Sequence, residues 1–128
     1  MPIRVVNLRD KFSQISDYYN PRIVSEINDS AVKLAKLKGE FLWHHHDTED
    51  EMFLVVSGTL RIKVRGIDGD PREHEYLIGP GEFITIPHGV EHLPSADEEV
   101  HIMLIEPKET LNTGNVNNER TRARLETI

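Results

Sequence analysis

The chain contains no cysteine. Disulfides, thiolate nucleophiles, redox pairs and cysteine-rich zinc sites are therefore excluded, and any metal has to be held by nitrogen and oxygen, that is, by histidine and carboxylate. Long apolar runs are missing too. Nothing approaches the roughly 18 apolar residues of a membrane span, and the opening MPIRVVNLRD has no apolar core of secretory length, so a cytoplasmic location is expected. Nor is there a basic excess: 15 Lys and Arg against 22 Asp and Glu give a formal net charge of -7. Such a chain repels phosphate backbones and anionic lipid heads, which points away from nucleic acid and membrane and toward a small molecule or another protein as partner. What is present, 38% hydrophobic and 29% charged residues over 128 positions, suffices for one core without staples.

Three stretches are expected: an N-terminal segment (1–29) packing on the body or on a partner, a strand-rich body (30–107) and a polar C-terminal tail (108–128). Val5, Leu8, Phe12, Ile15 and Tyr19 recur at spacings of three and four, which predicts a short amphipathic helix over 5–19 before Asn20-Pro21 stops it. AVKLAKL alternates loosely up to Lys38-Gly39, and EFLWHHH rises into a second β-prone run. EMFLVVSG, TLRIKVR, HEYLI, EFITIP and EVHIMLIEP read as further strands, with GIDGDPRE, GPGE and PHGVEHLPS as turns and loops. In TLRIKVR the alternation is cleanest: Leu60, Ile62 and Val64 share one face, Arg61, Lys63 and Arg65 the other. Many short strands with frequent turns and little helix predict an all-β, antiparallel double-sheet barrel. The tail lacks any hydrophobic period and reads as a partly ordered extension.

Three of the seven histidines, together with one glutamate, carry the chemistry. His44 and His46 stand two apart on a β-prone run, so their side chains leave the same face. Glu51 opens the next strand after a short polar turn and can return to the same end of the body, and His92 lies in PHGVEH, where it could add a third nitrogen. His88, His74 and His101 are read as structural or exposed, although His101 would line a pocket if its strand turned it inward. Glu49 and Asp50 are alternatives to Glu51 should the turn be misjudged. Three imidazoles and one carboxylate suit one divalent transition ion, Fe, Mn, Ni, Co or Zn, with room for water or substrate.

At these positions the sequence resembles the cupin superfamily, whose first motif has the form G-x5-H-x-H-x(3,4)-E-x6-G and whose second has G-x5-P-x-G-x2-H-x3-N. Here Gly39, His44, His46, Glu51 and Gly58 stand against the first, and Gly81, Pro87, Gly89 and His92 against the second, within residues 30–106. Trp43 and Ile105-Glu106-Pro107 resemble the opening and closing of small single-domain conserved-barrel cupins. Two departures stand out. Only four residues separate Gly39 from His44, and the usual five would select His45 and Asp47; Ala96 stands where many members have Asn. The register with His44 and His46 is preferred because it places two histidines on one strand face.

The resemblance implies a jelly-roll barrel with a metal at its mouth. Its function is expected to be that of a metal-dependent enzyme, an oxygenase or isomerase acting on a small metabolite with vicinal oxygens. From another class, a non-catalytic barrel that senses or binds a small ligand or metal is the alternative, and a phosphosugar isomerase is a weaker third. Inward faces bearing Phe53, Val55, Leu60, Ile62 and Val64 predict apolar pocket walls with no phosphate anchor. A homodimer is expected because Met52, Leu54 and Val56, on the opposite face from Phe53 and Val55, also need cover.

Overall fold

The computed structural model describes residues 2–128. Its elements are a helix α1 (Leu8–Phe12) and seven strands: β1 (Arg22–Ile27), β2 (Ser30–Glu40), β3 (Glu51–Ser57), β4 (Leu60–Arg65), β5 (His74–Ile78), β6 (Phe83–Ile86) and β7 (Glu91–Pro107). All strand pairs are antiparallel, in the order β1-β2-β7-β3-β6, with β4 on β7 and β5 on β4. This is the all-β barrel the alternation predicts.

One long strand ties the barrel together. β7 lies against β2 over most of its length, from Ser30↔Pro107 to Glu40↔Ser95. On its other edge Glu91–Ser95 pair with β4 and His101–Ile105 with β3. Between these stretches Asp97, Glu98 and Glu99 are exposed, and there the strand passes from pairing with β4 to pairing with β3. PHGVEHLPS, expected as a loop, therefore supplies the first residues of a strand from Glu91 onward.

Side-chain alternation fills the interior. Val100, Ile102 and Leu104 of β7, Phe53 and Val55 of β3, and Leu60, Ile62 and Val64 of β4 are all buried. Each such side chain contributes on the order of 1.5–3 kcal/mol relative to exposure. Arg61 and Arg65 take the outer face and pair with Glu75 (3.1 Å) and Glu91 (3.3 Å). A second, smaller cluster of Phe12, Ile15 and Leu34 covers Val56 and Met103 from outside. The cover that β3 asks for is thus supplied in part by the chain itself.

The helix is shorter than predicted. It spans Leu8–Phe12, with the Asn7 side chain accepting the Asp10 N–H as N-cap, and Val5 stays fully exposed. Ser13 Oγ donates to the Asp10 carbonyl (2.6 Å), and the Ser13, Ser16 and Asp17 side chains favour turns over a second helical turn. Tyr19 then enters the barrel core in a left-handed backbone conformation, its hydroxyl donating to the Gly39 carbonyl (2.6 Å).

The tail is no loose extension. From Thr110 to Asn115 it crosses the barrel mouth as a strap: Asn115 N–H donates to the His45 carbonyl (3.0 Å) and His45 N–H to Asn115 Oδ1 (2.9 Å). Thr113 is wholly buried, its hydroxyl bonded to the Val116 carbonyl (2.6 Å) and to Thr121 (2.7 Å). Further on, Arg120 donates to the carbonyls of Glu40 (3.1 Å) and Phe41 (2.9 Å).

Candidate metal centre

The segment between β2 and β3 is not a strand, although its sequence is β-prone. Phe41 N–H reaches the Pro94 carbonyl (3.0 Å), and His44 and His92 exchange both backbone hydrogen bonds (3.1 and 2.9 Å). Three steps on one side therefore span two on the other. Such a bulge fits a partner strand whose Pro94 has no N–H to return. Its effect is to aim imidazoles: His44 and His46 both turn into the barrel, while His45 turns out and meets Asp47 (2.9 Å).

His44, His46, Glu51 and His92 converge. All four are buried, and one nitrogen or oxygen from each lies within 4.8 Å of the others. Oε1 of Glu51 is 3.4 Å from His46 Nε2 and 3.3 Å from His92 Nε2. Four ligand atoms about 2.1 Å from a central ion in a tetrahedron would lie about 3.4 Å apart, so the spacing suits a transition ion.

Hydrogen bonding fixes the imidazoles in the form a metal needs. Nδ1 of His44 lies 2.9 Å from the Leu42 carbonyl and Nδ1 of His92 2.9 Å from the Val90 carbonyl. A carbonyl only accepts, so each Nδ1 carries the hydrogen and each Nε2 is left with its lone pair turned inward. At His92 that lone pair faces a carboxylate oxygen, an arrangement that repels unless a proton or a cation lies between. His46 Nε2 is likewise buried without a hydrogen-bond partner. Orphaned nitrogens around one carboxylate are what a cation would satisfy.

The electrostatics agree. Burial first, then the neighbouring His92, push the His44 imidazole down from 6.5 to about 4, so it is neutral at physiological pH. Burial alone would raise the Glu51 carboxyl, but the adjoining Glu106, His46 and His92 hold it well below the usual range. Glu106 goes the other way: burial and the Glu51 charge push it well above, and Lys33 offsets only part. Of the two adjoining carboxyls, Glu51 is the one favoured to ionise, the form a metal ligand takes.

A stability consequence follows for metal-free protein. Unfolded, His44 takes up a proton near 6.5, whereas in the fold it resists until about 4. The unfolded state therefore binds the extra proton between these values, and stability present above pH 6.5 should be lost as the pH falls through that window, by on the order of 3 kcal/mol. Urea midpoints of EDTA-treated protein at pH 7 and pH 4 measure this, and His44→Gln should flatten the difference. Equal pH dependence in the two proteins would refute the assignment.

Beside the cluster lies a cavity of about 40 Å3, with His44 and Glu51 in its wall. Of the pocket residues expected from sequence, Phe53 lines it. Val55, Leu60, Ile62 and Val64 lie in the closed core instead. His101 stands on the outer surface, stacked on Phe12 at 4.5 Å and bonded to Glu99 (2.8 Å), because β7 turns Val100, Ile102 and Leu104 inward and the odd positions outward. Two charged cavity residues escaped the sequence reading: Lys33 on β2 and Glu106 on β7, buried and joined at 2.8 Å. Strand parity could have found Glu106, which continues the inward series of Ile102 and Leu104.

With this geometry in view, the comparison with known proteins is direct. The family model of the cupin domain matches residues 32–106, more than half of the chain. The chain belongs to the cupin family. A cupin-2 domain protein of Shewanella frigidimarina is 44% identical, with a TM-score of 0.74 over 81% of this cupin and 95% of that chain. An uncharacterised Bacillus subtilis protein, YdbB, is 29% identical over 70% of this cupin and 74% of its own length. The Bacillus subtilis acireductone dioxygenase is also 29% identical, over 68% of this cupin but only 48% of the enzyme. The cupin thus spans about half the length of the dioxygenases it matches. Among the described residues, no helix is long and apolar enough to cross a membrane.

Proposed function

We propose that this cupin holds one divalent first-row transition ion through His44, His46, Glu51 and His92, and that the loaded protein is a small oxygenase for a metabolite with vicinal oxygens. The observation that carries the reading is the convergence of those four ligand atoms, with the inward lone pairs of His44 and His92 fixed by backbone carbonyls. The likeness to acireductone dioxygenases favours dioxygen chemistry over isomerisation. A bound ion would supply Lewis acidity and open positions for substrate oxygens. The protein's part is to keep His44 neutral and Glu51 ionised, to exclude bulk water with the strap and the apolar walls, and to limit size. A phosphosugar finds too little room in about 40 Å3.

The test is oxygen uptake. Protein loaded with Fe(II), Mn(II), Ni(II) or Co(II) should consume dioxygen with a panel of hydroxy-carbonyl and enediol compounds at least tenfold faster than EDTA-treated protein. Stoichiometric metal with no turnover on any member would favour the alternative, a barrel that binds or senses a small ligand without transforming it.

A further inference from the structure

The metal reading leaves one group unused. Among the described residues, Lys33 is the only lysine or arginine in the cavity wall, and its side chain is 1% exposed. It stands on the inward face of β2, between Ala31 and Ala35, where every alternate neighbour is apolar. Its ammonium donates to Glu106 Oε1 at 2.8 Å and to the Thr110 carbonyl at 3.4 Å. An ammonium has three hydrogens, and among the described residues the third has no acceptor.

Stability does not explain such a lysine. Taking the Lys33 ammonium out of water costs several kcal/mol, and an apolar pair of similar volume in place of a buried ion pair is often neutral or stabilising. The pair is also not remote from the chemistry: the Glu106 carboxyl lies against that of Glu51, and the cavity that Lys33 lines has Glu51 and His44 in its wall. Glu106 Oε2 is buried there without a hydrogen-bond donor.

We propose that Lys33 is the specificity residue of the cavity, and that the ligand it selects is a small monocarboxylate bearing a hydroxyl or carbonyl oxygen on the adjacent carbon. This rests on the metal reading and narrows it. Charge sets the sign: a divalent ion and the Lys33 ammonium, set against the Glu51 and Glu106 carboxyls, leave at least one positive charge for the ligand to neutralise. Chemistry sets the two ends: one end offers oxygen to the ion and the anionic end takes the free Lys33 hydrogen, while an adjacent hydroxyl can satisfy Glu106 Oε2. Volume sets the length. A cavity of about 40 Å3 holds on the order of three waters, hence a ligand of two or three carbons. The walls between these groups, Leu37, Phe53, Ile102 and Leu104, offer hydrocarbon only.

The experiment uses full-length protein loaded with Co(II), whose visible spectrum reports ligand binding, and two probes of one shape: glycolate, an anion, and glycolamide, which is neutral. Wild type should bind glycolate at least tenfold more tightly than glycolamide. In Lys33→Met the preference should fall below threefold while about one equivalent of cobalt is retained. Because that variant leaves Glu106 without its cation, Lys33→Met/Glu106→Gln is measured beside it and should behave alike. Variants that keep the preference, or that cannot hold cobalt, overturn the inference and leave the metal reading standing, as does wild type that binds neither probe or both equally. Wild type that takes up no cobalt overturns both.

Discussion

His92→Ala protein should purify with less than a tenth of the metal found in wild type, and chelation should no longer change its melting temperature. His92 is fully buried, its Nδ1 is held at 2.9 Å from the Val90 carbonyl, and its Nε2 stands 3.3 Å from the Glu51 carboxylate. Alanine removes one of four donors and leaves an apolar gap where a lone pair was fixed. Loss of groups that merely orient a ligand costs about 10–100-fold in metal affinity, so loss of the ligand itself should cost at least about 100-fold. Since an ion bound at one hundred times its dissociation constant stabilises the fold by about 2.7 kcal/mol, EDTA should lower the wild-type melting temperature and leave that of His92→Ala unchanged. Metal content by elemental analysis and melting with and without EDTA decide it. Full metal content in His92→Ala would remove this residue from the ligand set.

The four residues that the sequence brings forward are the four whose ligand atoms meet, because their spacing is written in strand parity and turn length, which are local. What surrounds them was less legible. Lys33 lies in AVKLAKL, where one face reads Ala31, Lys33, Ala35, Leu37 and the other Val32, Leu34, Lys36, Lys38. Each face carries a lysine, so alternation alone does not say which is inside. The answer comes from Glu106, a partner 73 residues away. The register of His44 against His45 was open for a different reason: the bulge opposite Pro94 adds a residue, and its effect on facing appears only when the two segments are paired.

The tail escaped for a third reason. Its order rests on polar groups: the Asn112 side chain donates to the Arg120 carbonyl and accepts the Arg122 N–H, and Thr113 is satisfied by Val116 and Thr121. Hydrophobic periodicity is blind to such a network. The helix was overread for the converse reason, since Val5 and Ile15 keep helical spacing although the serines after Phe12 turn the chain away.

Gly114→Ala is expected to open the centre. Gly114 has a φ of +56°, in the left-handed region, where a side chain costs about 1–2 kcal/mol. There is also no room for one. A Cβ at this position would be driven into the backbone carbonyl oxygen of His45 and would come within 3.1 Å of the His44 ring. Both neighbours are fixed, the carbonyl by Asn115 and the ring by the Leu42 carbonyl, so the strap has to move. EDTA should strip metal from Gly114→Ala at least tenfold faster than from wild type, and the amides of His45 and Asn115, bonded to one another's residues, should lose hydrogen-exchange protection. Serine at nearby exposed Asn117, which touches neither, is the control and should change neither rate. Unchanged chelation and exchange in Gly114→Ala would show that the strap does not guard the site.

The order of parts along the chain has a kinetic meaning. The candidate ligands end at His92, whereas the strap begins after Pro107 and closes over His45 through Gly114 and Asn115. None of the four candidate ligands lies on the strap, so a lifted strap would leave them where the barrel holds them. Exchange of a bound ion in the folded protein would then wait on a local opening of the strap and not on unfolding of the barrel.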